Sequence, residues 1–372
     1  MRNGLTLPPA LATFPWRVVL PLTLLVAFSA AVLHSAAGGS MTPYASSQLL
    51  RFAIFLVMAL IMSYFPQHWA KMAAVPVYVV ILLLLMAVEA VGALGGGSQR
   101  WLQLGPLVLQ PSELMKPGIV LILAAFFSAL PVGLINSWRA LLVPLALMAL
   151  PMGLVLLQPD LGTALAIGFG GIVLMFLASI PMKWFVGGGV AAVVLAPVAY
   201  FFGLQPYQQQ RVLTFLDPES DPQGSGYHII QSKIAIGSGG FSGKGFGQGS
   251  QSQLDYLPEP HTDFVFATMA EEWGLLGGLL VLLIFGIVLR WGLLVARDAP
   301  DRFSRLLAGG MTATIFFYVA VNLMMVMGLA PVVGIPLPFM SHGGSSMMTN
   351  MICVGSIMMV ERWNRQGRRT GF

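Results

Sequence analysis

Apolar runs long enough to cross a bilayer recur along this chain, and they leave it one class of fold. Ten candidate helices fall at about residues 16–36, 48–66, 73–94, 111–130, 138–157, 161–180, 184–204, 263–290, 304–330 and 343–361. A helix of about 20 apolar residues satisfies its own backbone inside hydrocarbon, which irregular chain cannot do. With 57% hydrophobic and 9% charged residues, the apolar area is too great to hide in one soluble core. The expected fold is all-α: a polytopic membrane protein with ten transmembrane helices, forming a single membrane domain over 1–372. Seven spans occupy about 16–204, a large extracytoplasmic loop covers 205–262 between helices 7 and 8, and three spans occupy about 263–361. Residues 362–372 form a cytoplasmic tail. His34-Ser35-Ala36-Ala37 faintly resembles a cleavage site, but with so many spans following it the first helix reads as an uncleaved anchor.

An even number of spans puts both termini on one side. With that side cytoplasmic, thirteen of the nineteen Lys and Arg residues lie inside, among them Arg2, Arg17, Arg139, Lys183 and Arg290. Arg51, Arg100, Lys116, Arg211, Lys233 and Lys244 lie outside or at outer helix ends, so the positive-inside rule sets the orientation. The basic pI near 9.5 therefore reflects topology and not a nucleic-acid partner. Eleven of the fourteen acidic residues fall on the outer side, which points to a polar working face there. Asp217, Glu219 and Asp221 read as solvated loop charges; the glycine and bidentate glutamate of a calcium loop are missing. Cys353 is the single cysteine and sits in an apolar span, which excludes a disulfide and a cysteine-based metal site.

The candidate chemistry gathers near that outer face. Glu113 and Lys116 share a helical face three residues apart and read as a pair lining a cavity, or as a clamp to a neighbouring helix. An unpaired charge at mid-bilayer costs roughly 2.5–3.5 kcal/mol. Pro111-Ser112 and Pro159-Asp160 read as helix starts, with Ser112 and Asp160 beside orphan N–H groups. Thr262 reads as the N-cap of the eighth span, which puts Asp263 in its first turn, where the helix dipole favours the anion against the effect of burial. Glu271 is offset from Asp263 by about 80° around the helix and can line the same cavity, while Glu272 points to another helix. The glycine-dense run 237–249 can bring N–H groups close to a phosphate, although its spacing is not that of a Walker loop. Arg100, Arg211, Lys233 and Lys244 are candidate cations for a pyrophosphate. Trp101 reads as an interfacial anchor. His228, His261 and His342 read as hydrogen-bonding groups, and Ser341 or Ser345 as a candidate sugar contact at the start of the last span.

Specific motifs then come into view. The segments 217–222 and 226–237, the run Gly249-Ser250-Gln251-Ser252-Gln253 and the run Pro258-Glu259-Pro260-His261-Thr262-Asp263-Phe264 resemble the rod-shape branch of the SEDS family of bacterial cell-wall polymerases. Arg100-Trp101 and the segments 110–116, 158–164 and 334–341 support the same resemblance, which covers nearly the whole chain. His261-Thr262 before the aspartate, and no lysine before Gly334, favour that branch over the cell-division branch. Pro260 and His342 depart from the branch, which often carries a basic residue and a tyrosine there.

The resemblance implies a peptidoglycan glycosyltransferase that polymerises lipid II, with Asp263 matching the family's essential aspartate. It implies a bacterial inner-membrane location and an extracytoplasmic active face. The implied partners are a class B penicillin-binding transpeptidase and the other membrane proteins of the elongation machinery. Lipid II carries its disaccharide on pyrophosphate in an α linkage and the polymer is β-linked, so the transfer inverts and needs a base on the acceptor hydroxyl. Asp263 is that base in this reading; Arg211, Lys233, Lys116 and Arg100 steady the diphosphate, and helix faces hold the isoprenoid tails. No cofactor is required by the sequence, and a divalent cation, Mg or Mn, is compatible with it. A lipid II flippase and a non-catalytic scaffold for the transpeptidase are the alternatives.

Overall fold

Proline and glycine punctuate the helices where the sequence places them, and the apolar faces between set the packing. The structure, a computed structural model, describes residues 14–91, 93–95, 98–104, 107–221, 224–254, 256–257 and 259–370. Arg2, Pro222, Pro258 and the last two residues of the expected tail lie outside these. The helices on either side of the polar segment are α1 (Trp16–Ala36), α2 (Tyr44–Met62), α3 (Gln67–Val91), α4 (Pro111–Ala129), α5 (Trp138–Leu157), α6 (Leu161–Leu177) and α7 (Met182–Val198), then, past that segment, α11 (Val265–Arg297), α12 (Arg302–Val326) and α13 (Gly344–Thr370). Among the described residues, eight helices are long and apolar enough to cross a membrane; α6 is apolar but only 17 residues long, and α13 is a further long helix.

α12 lies at the centre, packed against α4, α6, α11 and α13. It buries residues on most of its circumference, including Leu307, Met311, Ile315, Tyr318 and Asn322. α1 buries one stripe, Val18, Leu22, Leu25, Ser29 and Val32, at helical spacing against α2 and α11. α7 buries no residue at all. Its exposed Val186, Val190 and Val194 would be unstable in water but meet hydrocarbon as solvent.

Two expectations need correction. The chain is not wholly α: β1 (Ala93–Gly95), β2 (Ser98–Leu104) and β3 (Leu107–Leu109) form an antiparallel sheet in the order β1-β2-β3 between α3 and α4. Leu102 pairs with Leu109, and short hairpins satisfy the backbone of a stretch that has no helical periodicity. The segment 205–262 is not a simple loop either. It carries α8 (Pro206–Leu216), a 3-10 turn (Pro218–Ser220), α9 (Ser225–Ser238) and the short α10 (Ser250–Gln253), and α9 packs on α11 and α12.

α11 is broken at Gly274, whose φ of 62° and ψ of −156° are not helical. The glycine-rich run occupies the break. Lys244 and Gly245 donate their N–H groups to the carbonyls of Glu271 and Glu272, at 3.0 and 3.1 Å, and Leu275 and Leu276 donate to the carbonyls of Gly240 and Phe241, at 3.0 and 3.2 Å. These four bonds stand in for the two i→i−4 bonds that the break removes. A Cβ on Gly243 would come within 2.0 Å of the Glu272 carbonyl oxygen, so only glycine allows this approach.

Candidate active site

Asp263 sits two residues ahead of α11, whose N-cap is Phe264 without a side-chain cap bond. Thr262 is therefore not the cap expected of it; its hydroxyl donates instead to Glu259, 3.2 Å from Oε2. The backbone of Asp263 is fixed by Asn322 on α12, whose Nδ2 donates to the Asp263 carbonyl at 2.9 Å and to the Ile335 carbonyl at 2.8 Å. One buried amide thus ties the start of α11 to the segment before α13. The Asp263 carboxylate faces Gly334, where a Cβ would stand 3.6 Å from Oδ2.

Burial pushes the Asp263 carboxyl up to about 6; Glu259 adds to the rise and Arg211 opposes it. Asp263 lies ahead of the first turn expected to hold it, and there desolvation outweighs the support that the helix dipole was expected to give the anion. Arg211, on α8, is close enough to act on Asp263 electrostatically.

Three histidines pack among the residues that flank Asp263. The His228 ring stacks on Phe264 with 6.2 Å between centroids, and burial lowers its proton affinity against the opposing pull of Asp221 and Glu259. The His261 ring stacks on Tyr44 at 4.0 Å, and Glu259 lies 3.5 Å from its Nε2. His342 is pushed down to about 4 by burial, then by Arg51 and His261, so it is neutral at pH 7. Its Nε2 can then accept from Arg51 Nη1 at 3.0 Å, with Ser47 Oγ 2.9 Å away. The His342 N–H donates to the His261 carbonyl at 2.8 Å. Sequence reading missed this contribution of Tyr44, Ser47 and Arg51 from α2. Its sole trace was a cation, Arg51, inside an otherwise apolar span.

Several expected ligands are engaged elsewhere. Lys116 is buried and donates to Glu113 Oε1 at 2.6 Å and to the Tyr318 hydroxyl at 2.8 Å, and that hydroxyl donates to the other oxygen of Glu113. The pair is the clamp to a neighbouring helix, not a cavity lining. Lys244 donates to Glu271 Oε1 and Ser250 Oγ, at 2.6 and 2.7 Å, and Glu271 is fully buried beneath the glycine-rich run instead of beside Asp263. The N–H groups of Lys244 and Gly245 are spent on α11, so the phosphate cradle expected there is replaced by a helix splice. Glu272 accepts from Ser35 of α1, as a residue directed at another helix should.

Arg100 donates from Nε to the Gln158 carbonyl at 2.9 Å and from Nη2 to the Pro159 carbonyl at 2.5 Å, with Asp160 4.0 Å from Nη1. Asp160 caps α6 through the Thr163 N–H at 3.0 Å and also accepts from Gln110 at 3.3 Å, so Arg100 and Asp160 form a joint between β2 and the start of α6. The Ser341 hydroxyl accepts from the Leu337 N–H at 2.8 Å and is buried, which fits a turn lock and not a sugar contact. Lys233 is exposed on α9, with its aliphatic stem beside Gly328. Among the described residues, no group of three or more His, Cys, Asp or Glu side chains is arranged to hold a metal ion.

Comparison with known proteins places this geometry in context. Residues 10–366 match the family model FtsW/RodA/SpoVE, described as cell cycle protein. The chain is 43% identical over 354 residues to the peptidoglycan glycosyltransferase MrdB of Escherichia coli (strain K12), covering 93% of this chain and 92% of that protein. Among solved structures it is similar to one described as structural coordination of polymerization and crosslinking by a peptidoglycan synthase complex, with TM-score 0.81 and 34% identity over 95% of this chain and 99% of the other. It is also similar to the rod shape determining protein RodA of Thermus thermophilus, with TM-score 0.71 and 30% identity over 95% and 98% of the two chains.

Proposed function

The chain belongs to the FtsW/RodA/SpoVE family of cell cycle proteins, and on that premise we propose that it polymerises lipid II with Asp263 as the base. It is a peptidoglycan glycosyltransferase of many membrane-spanning helices. The observation that carries the assignment of the base is the Asp263 carboxyl itself, poised near 6 by burial and opposed charges. A base works best when its proton affinity lies near the operating pH, where it is ionised yet still able to take a proton. In the inverting transfer, Asp263 accepts the proton of the acceptor 4-hydroxyl while the sugar–phosphate bond breaks on the opposite face. Diphosphate leaves without needing a protonated carboxyl, so cations are sufficient.

With Lys116, Lys244 and Arg100 engaged elsewhere, that charge comes in this reading from Arg211, Lys233 and Arg51. The neutral His342 supports the last of these, because it orients Arg51 without cancelling its charge. An apolar cleft of about 630 Å³ between α2, α3, α4, α12 and α13, with Ile61, Val77 and Val80 exposed along it, suits an isoprenoid tail. Each methylene removed from water there contributes about 0.8 kcal/mol.

In the same reading α6 and α13 join the eight long apolar helices to make ten spans, both termini are cytoplasmic and Asp263 faces outward. The segment 205–262 and the outer helix ends meet a transpeptidase, as the resemblance to a peptidoglycan synthase complex supports. The test is polymerisation of lipid II by purified protein, alone and with the transpeptidase. Asp263→Asn should abolish glycan extension and leave folding and partner binding intact; retained extension would refute the base. Movement of lipid II between vesicle leaflets without extension would instead favour a flippase.

A further inference from the structure

At the end of the bundle opposite Asp263, α1, the C-terminal part of α11 and α13 enclose a cavity of about 950 Å³. Most of α11 separates the two places, roughly 40 Å from Asp263 to Arg290 at 1.5 Å per residue. Trp16, Arg17, Arg290, Trp291, Asp298 and Glu361 line the cavity, with Arg365 beside them. Its carboxylates are accounted for. Glu361 accepts from Arg365 at 2.6 Å and from Trp291 Nε1 at 3.2 Å, and Asp298 accepts from Arg297 at 3.0 Å.

The two remaining arginines are exposed, and among the described residues neither Arg17 nor Arg290 has an ion-pair or hydrogen-bond partner. Arg290 is the more informative. It lies seven residues before the end of α11, between Leu289 and Trp291, where hydrocarbon disfavours an unpaired charge. Beside the cavity, Leu20 and Leu24 of α1 and Leu283 and Ile287 of α11 are exposed as an apolar track running toward the membrane centre.

Two uncompensated guanidinium groups, two tryptophans in the same lining and an apolar track beside them define one ligand chemistry. We infer that this cavity binds the phosphate head group of an anionic phospholipid, held by Arg17 and Arg290, with its acyl chains along α1 and α11. The site is remote from the transfer reaction and rests only on the protein being embedded in a membrane.

Native mass spectrometry of the purified full-length protein tests it with phosphatidylglycerol, phosphatidylcholine and inorganic phosphate as probes. Each arginine near an anionic lipid surface contributes about fivefold in binding, so Arg17→Gln/Arg290→Gln should retain phosphatidylglycerol about 25-fold less well. Arg17→Lys/Arg290→Lys should retain most of it, and Lys183→Gln, a charge outside the cavity, all of it. Wild-type protein should hold phosphatidylcholine poorly and should not release phosphatidylglycerol to millimolar phosphate. Equal retention by the Gln pair, or an equal loss with Lys183→Gln, overturns the inference. So does displacement by inorganic phosphate, which would assign the cavity to a soluble anion. Should the Gln pair not fold, Arg290→Gln alone decides in the same way through a fivefold loss.

Discussion

Asp263 owes its chemistry to burial and two charged neighbours that act in opposite directions. Burial and Glu259 raise its proton affinity, and Arg211 lowers it. Since the ionised form is the base, glycan extension should fall tenfold per pH unit below about 6 and level off above it. Arg211→Gln should move that acid limb to higher pH and Glu259→Gln to lower pH, each by up to about one unit, read from single-turnover rates between pH 5 and 8. The aspartate was legible in the sequence because a carboxylate at the mouth of an apolar helix is costly and stands out. Its partners were not. Lys116, Lys244 and Arg100 carry the charge a diphosphate needs, but charge alone does not reveal that Glu113, Glu271 and the Pro159 carbonyl had claimed them.

Among the elements, α11 shows how a long helix can be interrupted without orphaning its backbone. The Gly274 break works because the run 239–245 returns each lost hydrogen bond, and two glycines make the approach possible. Gly274→Ala would set a Cβ 2.4 Å from the Gly243 nitrogen, at a φ that disfavours side chains. It should cost at least about 2 kcal/mol and open the glycine-rich run to limited proteolysis. A glycine cluster read from sequence has no direction; it suits a phosphate and a helix equally. The clamp between α4 and α12 permits a second test. Lys116→Met would leave Glu113 buried with only the Tyr318 hydroxyl, at a cost of about 3–5 kcal/mol in thermal unfolding. Glu113→Gln combined with Lys116→Met should recover most of that loss, since no unpaired charge remains.

For the whole molecule, the proposed orientation puts the α1–α2 connection outside and the start of α7 inside. A cysteine at Ser40 should react with an impermeant thiol reagent added to intact cells, and one at Lys183 only after lysis; the reverse pattern would invert the topology. The native Cys353 is fully buried and should not interfere. The membrane class and the rough places of the eight long apolar helices followed from the sequence alone, because hydrocarbon selects on local composition and an α-helix closes its hydrogen bonds within its own segment. The antiparallel sheet at 93–109 and the helices within 205–262 escaped that logic, since neither is held by a local apolar period. Only the tertiary structure decided which charges meet. Asn322 reaching Asp263, Arg51 reaching His342 and Tyr318 reaching Glu113 join residues 59, 291 and 205 positions apart, and such pairings depend on how helices cross, which no local pattern records.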